Sequence, residues 1–142
     1  MYQKEVDFIE LTVEETRQYK QEWFEKIVPE DQQKRAVDCY CFDKDGYCGY
    51  LWHVFSYEIL DCLVDDEANR QFDNLDKHKG ILLMSFTDKA YFIKDVSRFK
   101  AKNLEIFQDV ILTGYDFSWT YVKTHETDCG PYFYAVSSEL IR

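Results

Sequence analysis

Apolar side chains recur along this chain at two different spacings, and the change between them divides the fold. Early on the spacing is three and four: Val13, Thr16, Tyr19, Trp23 and Ile27 make one stripe, with Glu14, Gln18, Glu22 and Glu25 outside it. That pattern predicts a helix from about Val13 to Val28. Thr12 and Glu15 stand at capping-box spacing, where the hydroxyl accepts from the third helical N–H and the carboxylate from the N–H of the cap. Ahead of the helix, Glu5–Leu11 alternates weakly and predicts a first strand. Pro29 suits the first turn of a second helix, with Glu30 and Asp31 favourable to its dipole and Ala36, Val37 and Tyr40 facing inward. Asp43-Lys-Asp-Gly46 is a turn, and the dense run Tyr50–Tyr57 reads as strand from its aromatic and β-branched content. Asp65–Leu75 opens acidic and sets Ala68, Phe72 and Leu75 on one face, which predicts a third helix ending near Gly80.

Beyond Gly80 the period shortens to two. Ile81–Phe86, Ala90–Ile93, Asp109–Leu112, Phe117–Val122 and Tyr132–Val136 are short, β-branched or aromatic, and bounded by Asp, Gly, Pro or Lys. Val96–Phe107 fits either a helical turn or irregular structure. In the stretch from Asp116 to Tyr134, Phe117, Trp119 and Tyr121 alternate with Ser118, Thr120 and Val122, and Gly130-Pro131 interrupts the pattern before Tyr132 resumes it. This predicts a β-hairpin. Helices early and strands late give an α+β class: a largely antiparallel sheet formed mainly by the C-terminal half, with two or three helices from the N-terminal half packed on one face.

Length and charge then narrow the picture. The 142 residues suit one α+β domain over 1–142, and 46% hydrophobic and 18% aromatic residues supply more than enough apolar surface to fold without staples. The net charge of −10 is uneven, with 17 acidic against 8 basic residues in 1–71 and 10 against 9 in 72–142. Such a first half repels phosphate backbones and anionic bilayers, which disfavours nucleic-acid and membrane binding. Plain solubility accounts for acidity of this kind; the functional alternative is a surface complementary to a basic partner. No run approaches the roughly 20 apolar residues of a membrane-spanning helix, and Met1-Tyr-Gln-Lys-Glu has no apolar stretch behind it, so a cytoplasmic location is expected. Cys39, Cys41, Cys48, Cys62 and Cys129 then read as reduced thiols.

Candidate chemistry is thin. Cys39, Cys41, Cys48, His53 and Cys62 are metal-ligand types, but their spacing is irregular where structural zinc sites use paired knuckles, and buried free cysteine is the commoner state. No metal and no cofactor is expected. His125 and Glu126, with Cys129 and His53, could form a nucleophile, base and orienter, yet neighbours on a strand point to opposite faces and cooperate only past a turn. A role for His125 in the Thr124–Gly130 turn is the plainer reading. Trp52 and Trp119 suit a core, while eleven tyrosines exceed what a core readily uses, because each buried hydroxyl needs a partner.

Tyr50-Leu-Trp-His-Val-Phe-Ser-Tyr-Glu58, Phe117-Ser-Trp-Thr-Tyr-Val-Lys-Thr-His-Glu126 and Gly130-Pro-Tyr-Phe133 resemble the signature segments of a family of small bacterial proteins, domain of unknown function 4275. The resemblance covers nearly the whole chain. It implies a cytoplasmic bacterial protein and no settled activity, and it singles out Trp52, His53, Trp119, Tyr121, His125, Glu126, Gly130 and Pro131. With Tyr132, these aromatic, His and Glu residues make the candidate site. The expected function is a non-enzymatic interaction module, antitoxin-like, immunity-like or regulatory, whose acidic first half and aromatic hairpin meet a basic protein. The alternative is a small-molecule enzyme or sensor with an aromatic pocket bearing His and Glu.

Overall fold

The computed structural model describes residues 8–28, 30–34, 62–84, 87, 89–124 and 130–135. The first helix, α1 (Val13–Ile27), begins at the expected box: Thr12 Oγ1 accepts from the Glu15 N–H at 3.0 Å, and Glu15 Oε1 accepts from the Thr12 N–H at 2.9 Å. Its buried face is rotated from the expected stripe. Val13 is half-exposed, while Thr16, Lys20, Trp23, Phe24 and Ile27 are buried. Lys20 can lie inside because its ammonium donates to the Met84 and Thr87 carbonyls at 2.6 and 2.7 Å, so an ion that pattern reading sends to solvent is satisfied by backbone.

The second helix, α2 (Asp65–Asn74), has the expected acidic start and buries Ala68, Gln71 and Phe72. It stops well before Gly80. Lys77, only 1% exposed, donates to the Phe72 carbonyl at 2.6 Å and lies 4.4 Å from the centroid of the Phe72 ring, so it closes the helix end from inside. Among the described residues these are the two α-helices. The helix expected after Pro29 enters them as the 3-10 turn Glu30–Gln32, and its remainder lies outside the described residues, as does the strand expected at Tyr50–Tyr57. The ambiguous stretch contains a 3-10 turn, Ala101–Leu104.

Among the described residues seven strands form one antiparallel sheet: β1 (Phe8–Glu10), β2 (Leu63–Val64), β3 (Gly80–Met84), β4 (Ala90–Ile93), β5 (Val110–Gly114), β6 (Trp119–Lys123) and β7 (Tyr132–Ala135). Their order is β1-β4-β3-β5-β6-β7-β2, so the first half of the chain supplies both edges and the second half everything between. The expected hairpin is present, with Trp119 opposite Ala135 and Tyr121 opposite Phe133, and Gly130 and Pro131, joined by a cis peptide bond, lead into β7.

The helices do not share one face. Trp23, Phe24 and Ile27 of α1 pack with Ile81, Leu83, Ile111 and Val122, whereas Ala68 and Phe72 of α2 pack with Leu82, Leu112, Trp119, Tyr121 and Phe133. Alternate residues of each strand thus enter different cores, and the sheet is the middle of three layers. The cause is legible in the strands themselves. Ile81-Leu-Leu and Val110-Ile-Leu are unbroken apolar runs, the mark of strands covered on both faces.

Candidate functional site

The sheet separates the expected site residues that are described. Trp119 and Tyr121 lie on the α2 side, Tyr132 lies with the α1 core, and all three are buried. The hairpin aromatics are therefore scaffold on both faces. Trp52, His53, His125 and Glu126 lie outside the described residues, as do Cys39, Cys41, Cys48 and Cys129. Cys62 is a half-buried thiol packed against the α1 core, in the manner of a small hydrophobe. Tyr121 finds the partner that a buried phenol requires: its hydroxyl donates to Asn69 Oδ1 at 2.6 Å. Burial, reinforced by Asp73 and Glu105, pushes that hydroxyl well above its ordinary range. A cleft of about 300 Å³ opens beside it, between Asn69, Glu105, Lys123 and Pro131.

A larger groove, of about 870 Å³, runs between the end of α2 and the β5–β6 turn. Asn74, Asp76 and His78 form one wall, and Asp116, Ser118 and Trp119 form the other. The turn that builds the second wall is tightly determined. Gly114 accepts from the Phe117 N–H at 2.8 Å, and Phe117 sits at φ +61°, an unfavourable region for a bulky residue. That reversal sends Phe117 to the α1 core, against the two-residue alternation that groups it with Trp119 and Tyr121. Beside it, Asp116 Oδ1 accepts from both the N–H and the hydroxyl of Ser118, at 3.1 and 2.7 Å. Burial works against the Asp116 charge, but these two hydrogen bonds outweigh it and hold the carboxyl below its usual range, with Lys26 adding to them. On the other wall His78 Nε2 lies 3.4 Å from Asp76 Oδ2, both side chains largely exposed.

Gly114 is closely packed: a Cβ there would meet Trp119 Nε1 at 2.7 Å and Asp116 Oδ1 at 3.1 Å, so the indole and the carboxylate leave no room for a side chain at this position. Trp119 is 5% exposed, and among the described residues no group accepts from its indole N–H. Trp23 differs, since its indole N–H donates to Thr120 Oγ1 at 2.9 Å. At the rim Tyr115 is half-exposed, stacked edge-on against Phe92 at 5.3 Å. Burial and a hydrogen bond with Tyr115 push the Tyr19 hydroxyl up to about 12.

Sequence reasoning missed His78, Lys77, Lys20 and the Asp116–Ser118 turn. A usable signal for the first two was Asp76-Lys-His-Lys79, four consecutive titratable residues wedged between a helix and an apolar strand. Among the described residues no helix is long and apolar enough to cross a membrane, and no three His, Cys, Asp or Glu side chains converge as metal ligands.

A family model, Domain of unknown function (DUF4275), matches residues 1–133. The chain belongs to this family. The DUF4275 match takes in both helices, β1 to β6 and the start of β7, and so includes both walls of the groove. It accounts for the resemblance carried by the Trp-His and Trp-Thr-Tyr segments. No curated protein and no solved structure matches the chain.

Proposed function

We propose that this DUF4275 chain is a non-enzymatic interaction module, a single cytoplasmic bacterial domain that meets a basic protein partner in an antitoxin-like, immunity-like or regulatory role. The observation that carries the reading is the display of acid: Glu14, Glu15 and Glu25 on α1, Glu30 and Asp31 after it, and Asp65, Asp66 and Glu67 opening α2 are all exposed. Such a surface accelerates encounter with a basic partner and disfavours nucleic acid. The hairpin aromatics, being buried, leave contact to these helices and to the groove. The test is a pull-down from a native host at low and moderate salt, beside a variant carrying Asp65→Asn, Asp66→Asn and Glu67→Gln. A basic protein retained at low salt and weakened by the variant is expected. Recovery of no partner at either salt overturns the reading.

The second reading, a small-molecule enzyme or sensor, draws on the groove volume, which falls in the range of ligand sites, and on His78 beside Asp76. Its chemistry has little support, since among the described residues no hydroxyl or thiol is hydrogen-bonded to His78. A thermal shift with small metabolites and none with basic peptides would favour it.

A further inference from the structure

Tyr19 and Tyr115 come together from distant parts of the chain, one on α1 and the other on the β5–β6 turn, with ring centroids 6.5 Å apart at 53°. Their hydroxyls are hydrogen-bonded. The rings thus meet at their hydroxyl ends, and the carbons that flank each hydroxyl are the ones turned toward the other ring. The fold holds both partners in place: Tyr115 donates its N–H to the Lys79 carbonyl at 3.0 Å and meets Phe92 edge-on at 5.3 Å, and Tyr19 leans on Phe117 at 6.5 Å. Access differs between the two. Tyr115 is 48% exposed, whereas Tyr19 is half-buried behind it. Tyr121 and Tyr132 are buried, and the ring against Tyr91 is that of Phe8, which carries no hydroxyl.

We propose that the Tyr19–Tyr115 pair is a modification site, where a one-electron oxidant of the peroxidase class, fed by peroxide, joins the two rings through a carbon–carbon bond. The oxidant takes an electron and a proton from Tyr115, which it can reach, and then an electron and a proton from Tyr19, whose hydroxyl touches that of Tyr115. The two phenoxyl rings couple at carbons beside their oxygens, and each coupled carbon passes its hydrogen to its own ring's oxygen to restore the aromatic system. The pair loses two electrons and two protons in all, and one hydrogen peroxide takes them up to give two waters. Because the fold holds the partners together, coupling within one chain outruns coupling between chains. The bond ties α1 to the β5–β6 turn and closes a loop over most of the chain, which restricts the unfolded state. It consumes ring carbons only and leaves the carboxylates of α1 on display.

The test oxidises the dilute full chain with a peroxidase and limiting hydrogen peroxide, then digests it and maps linked peptides by mass spectrometry. The peptide carrying Tyr19 should appear joined to that carrying Tyr115, lighter than their sum by two hydrogens, in material that runs as a monomer on a denaturing gel. Tyr19→Phe and Tyr115→Phe, which keep the rings, should each abolish this linkage. Unfolding in urea before oxidation should suppress it about tenfold or more, since only the fold supplies the proximity. The cross-linked chain should also have a higher urea midpoint than the untreated one. A main linkage between other tyrosines, an equal yield from the unfolded chain, or coupling between chains alone overturns the assignment, and an unchanged midpoint overturns the bracing of α1. Should either variant fail to fold, the linkage map of the unaltered chain decides alone.

Discussion

Among the described residues each face of the sheet buries one helix, one tryptophan and one lysine, and the two faces treat these groups differently. On the α1 face the indole of Trp23 donates to Thr120, whose hydroxyl also lies 3.1 Å from that of Thr113, and Lys20 is tied to two carbonyls of the β3–β4 turn. Thr16 Oγ1, also on α1, is nevertheless buried with no hydrogen-bond partner among the described residues. On the α2 face Trp119 lines a groove, among the described residues nothing accepts from its indole N–H, and Lys77 serves the end of its own helix. Both faces tie their buried lysine to backbone carbonyls, but among the described residues only the α1 face finds an acceptor for its tryptophan N–H. The contrast says that burial alone does not separate scaffold from site; what a buried polar atom bonds to does.

Replacing the tryptophans gives the largest effects. Trp23→Ala removes a fully buried side chain together with its hydrogen bond and should cost about 5 kcal/mol, the upper end for such cavities, while Trp119→Ala should cost about 3–5 kcal/mol. Urea midpoints measure both. Trp→Phe discriminates better: Trp23→Phe should lose about 1 kcal/mol more than Trp119→Phe, because only the former breaks a bond made in the fold. Equal losses would erase the difference between the faces.

The lysines come next. Lys20→Met leaves the Met84 and Thr87 carbonyls without their donor and should destabilise by about 1–3 kcal/mol. Lys77→Met should cost about 1 kcal/mol or less, since it also removes a poorly solvated cation. Burial, with Lys100 nearby, lowers the Lys77 amine from its ordinary 10.5 to about 8. Between those values the unfolded chain holds the proton and the folded chain does not, so this group makes stability rise with pH, by at most about 1.4 kcal/mol per unit. Tyr19 works in the opposite sense. Its hydroxyl is raised from 10.0 to about 12, and the stability it contributes below pH 10 is lost across that interval. Denaturation from pH 8 to 10 should thus show a gain that Lys77→Met abolishes; an unchanged slope would free Lys77 of the assignment.

The smallest effect concerns the caps. α1 has a complete box, whereas α2 begins after Val64, whose side chain offers no acceptor and is half-exposed. Val64→Thr keeps the β-branched shape of an edge-strand residue and adds the missing hydroxyl. It should raise stability by about 0.5–1 kcal/mol in the same urea assay, and the matching change Thr12→Ala should lower it by about 1 kcal/mol.

Much of this architecture was legible in the chain. The Thr12–Glu15 box, the β4 limits Ala90–Ile93, the α2 start at Asp65 and the Trp119–Tyr134 hairpin all follow from local rules that the fold respects. Alternation in the hairpin points to a sheet covered on one face, whereas the continuous runs Ile81–Leu83 and Val110–Leu112 need cover on both sides. The helical stripe was misplaced because Lys20 counts as polar in any pattern, and its carbonyl partners stand 64 and 67 residues away. Of the candidate site, Trp119, Tyr121 and Tyr132 are buried in the two cores, and what separates Trp119 from Trp23 is the partner of the indole N–H, which no sequence pattern encodes. His78 and Asp116 meet only because α2 ends beside a turn some forty residues later in the chain.

The strand order also has a temporal side. The chain is made from its N-terminus, yet β1 pairs with β4 and Trp23 waits for Thr120, 97 residues downstream. At roughly 5–20 residues per second, on the order of 5–20 seconds separate the synthesis of Trp23 from that of the threonine that accepts its hydrogen bond. Glu14, Glu15, Glu22 and Glu25 give this segment negative charge throughout that interval, and like charge repels its copies on neighbouring ribosomes. The acidity of the first half is thus in place before the sheet that the helix will cover.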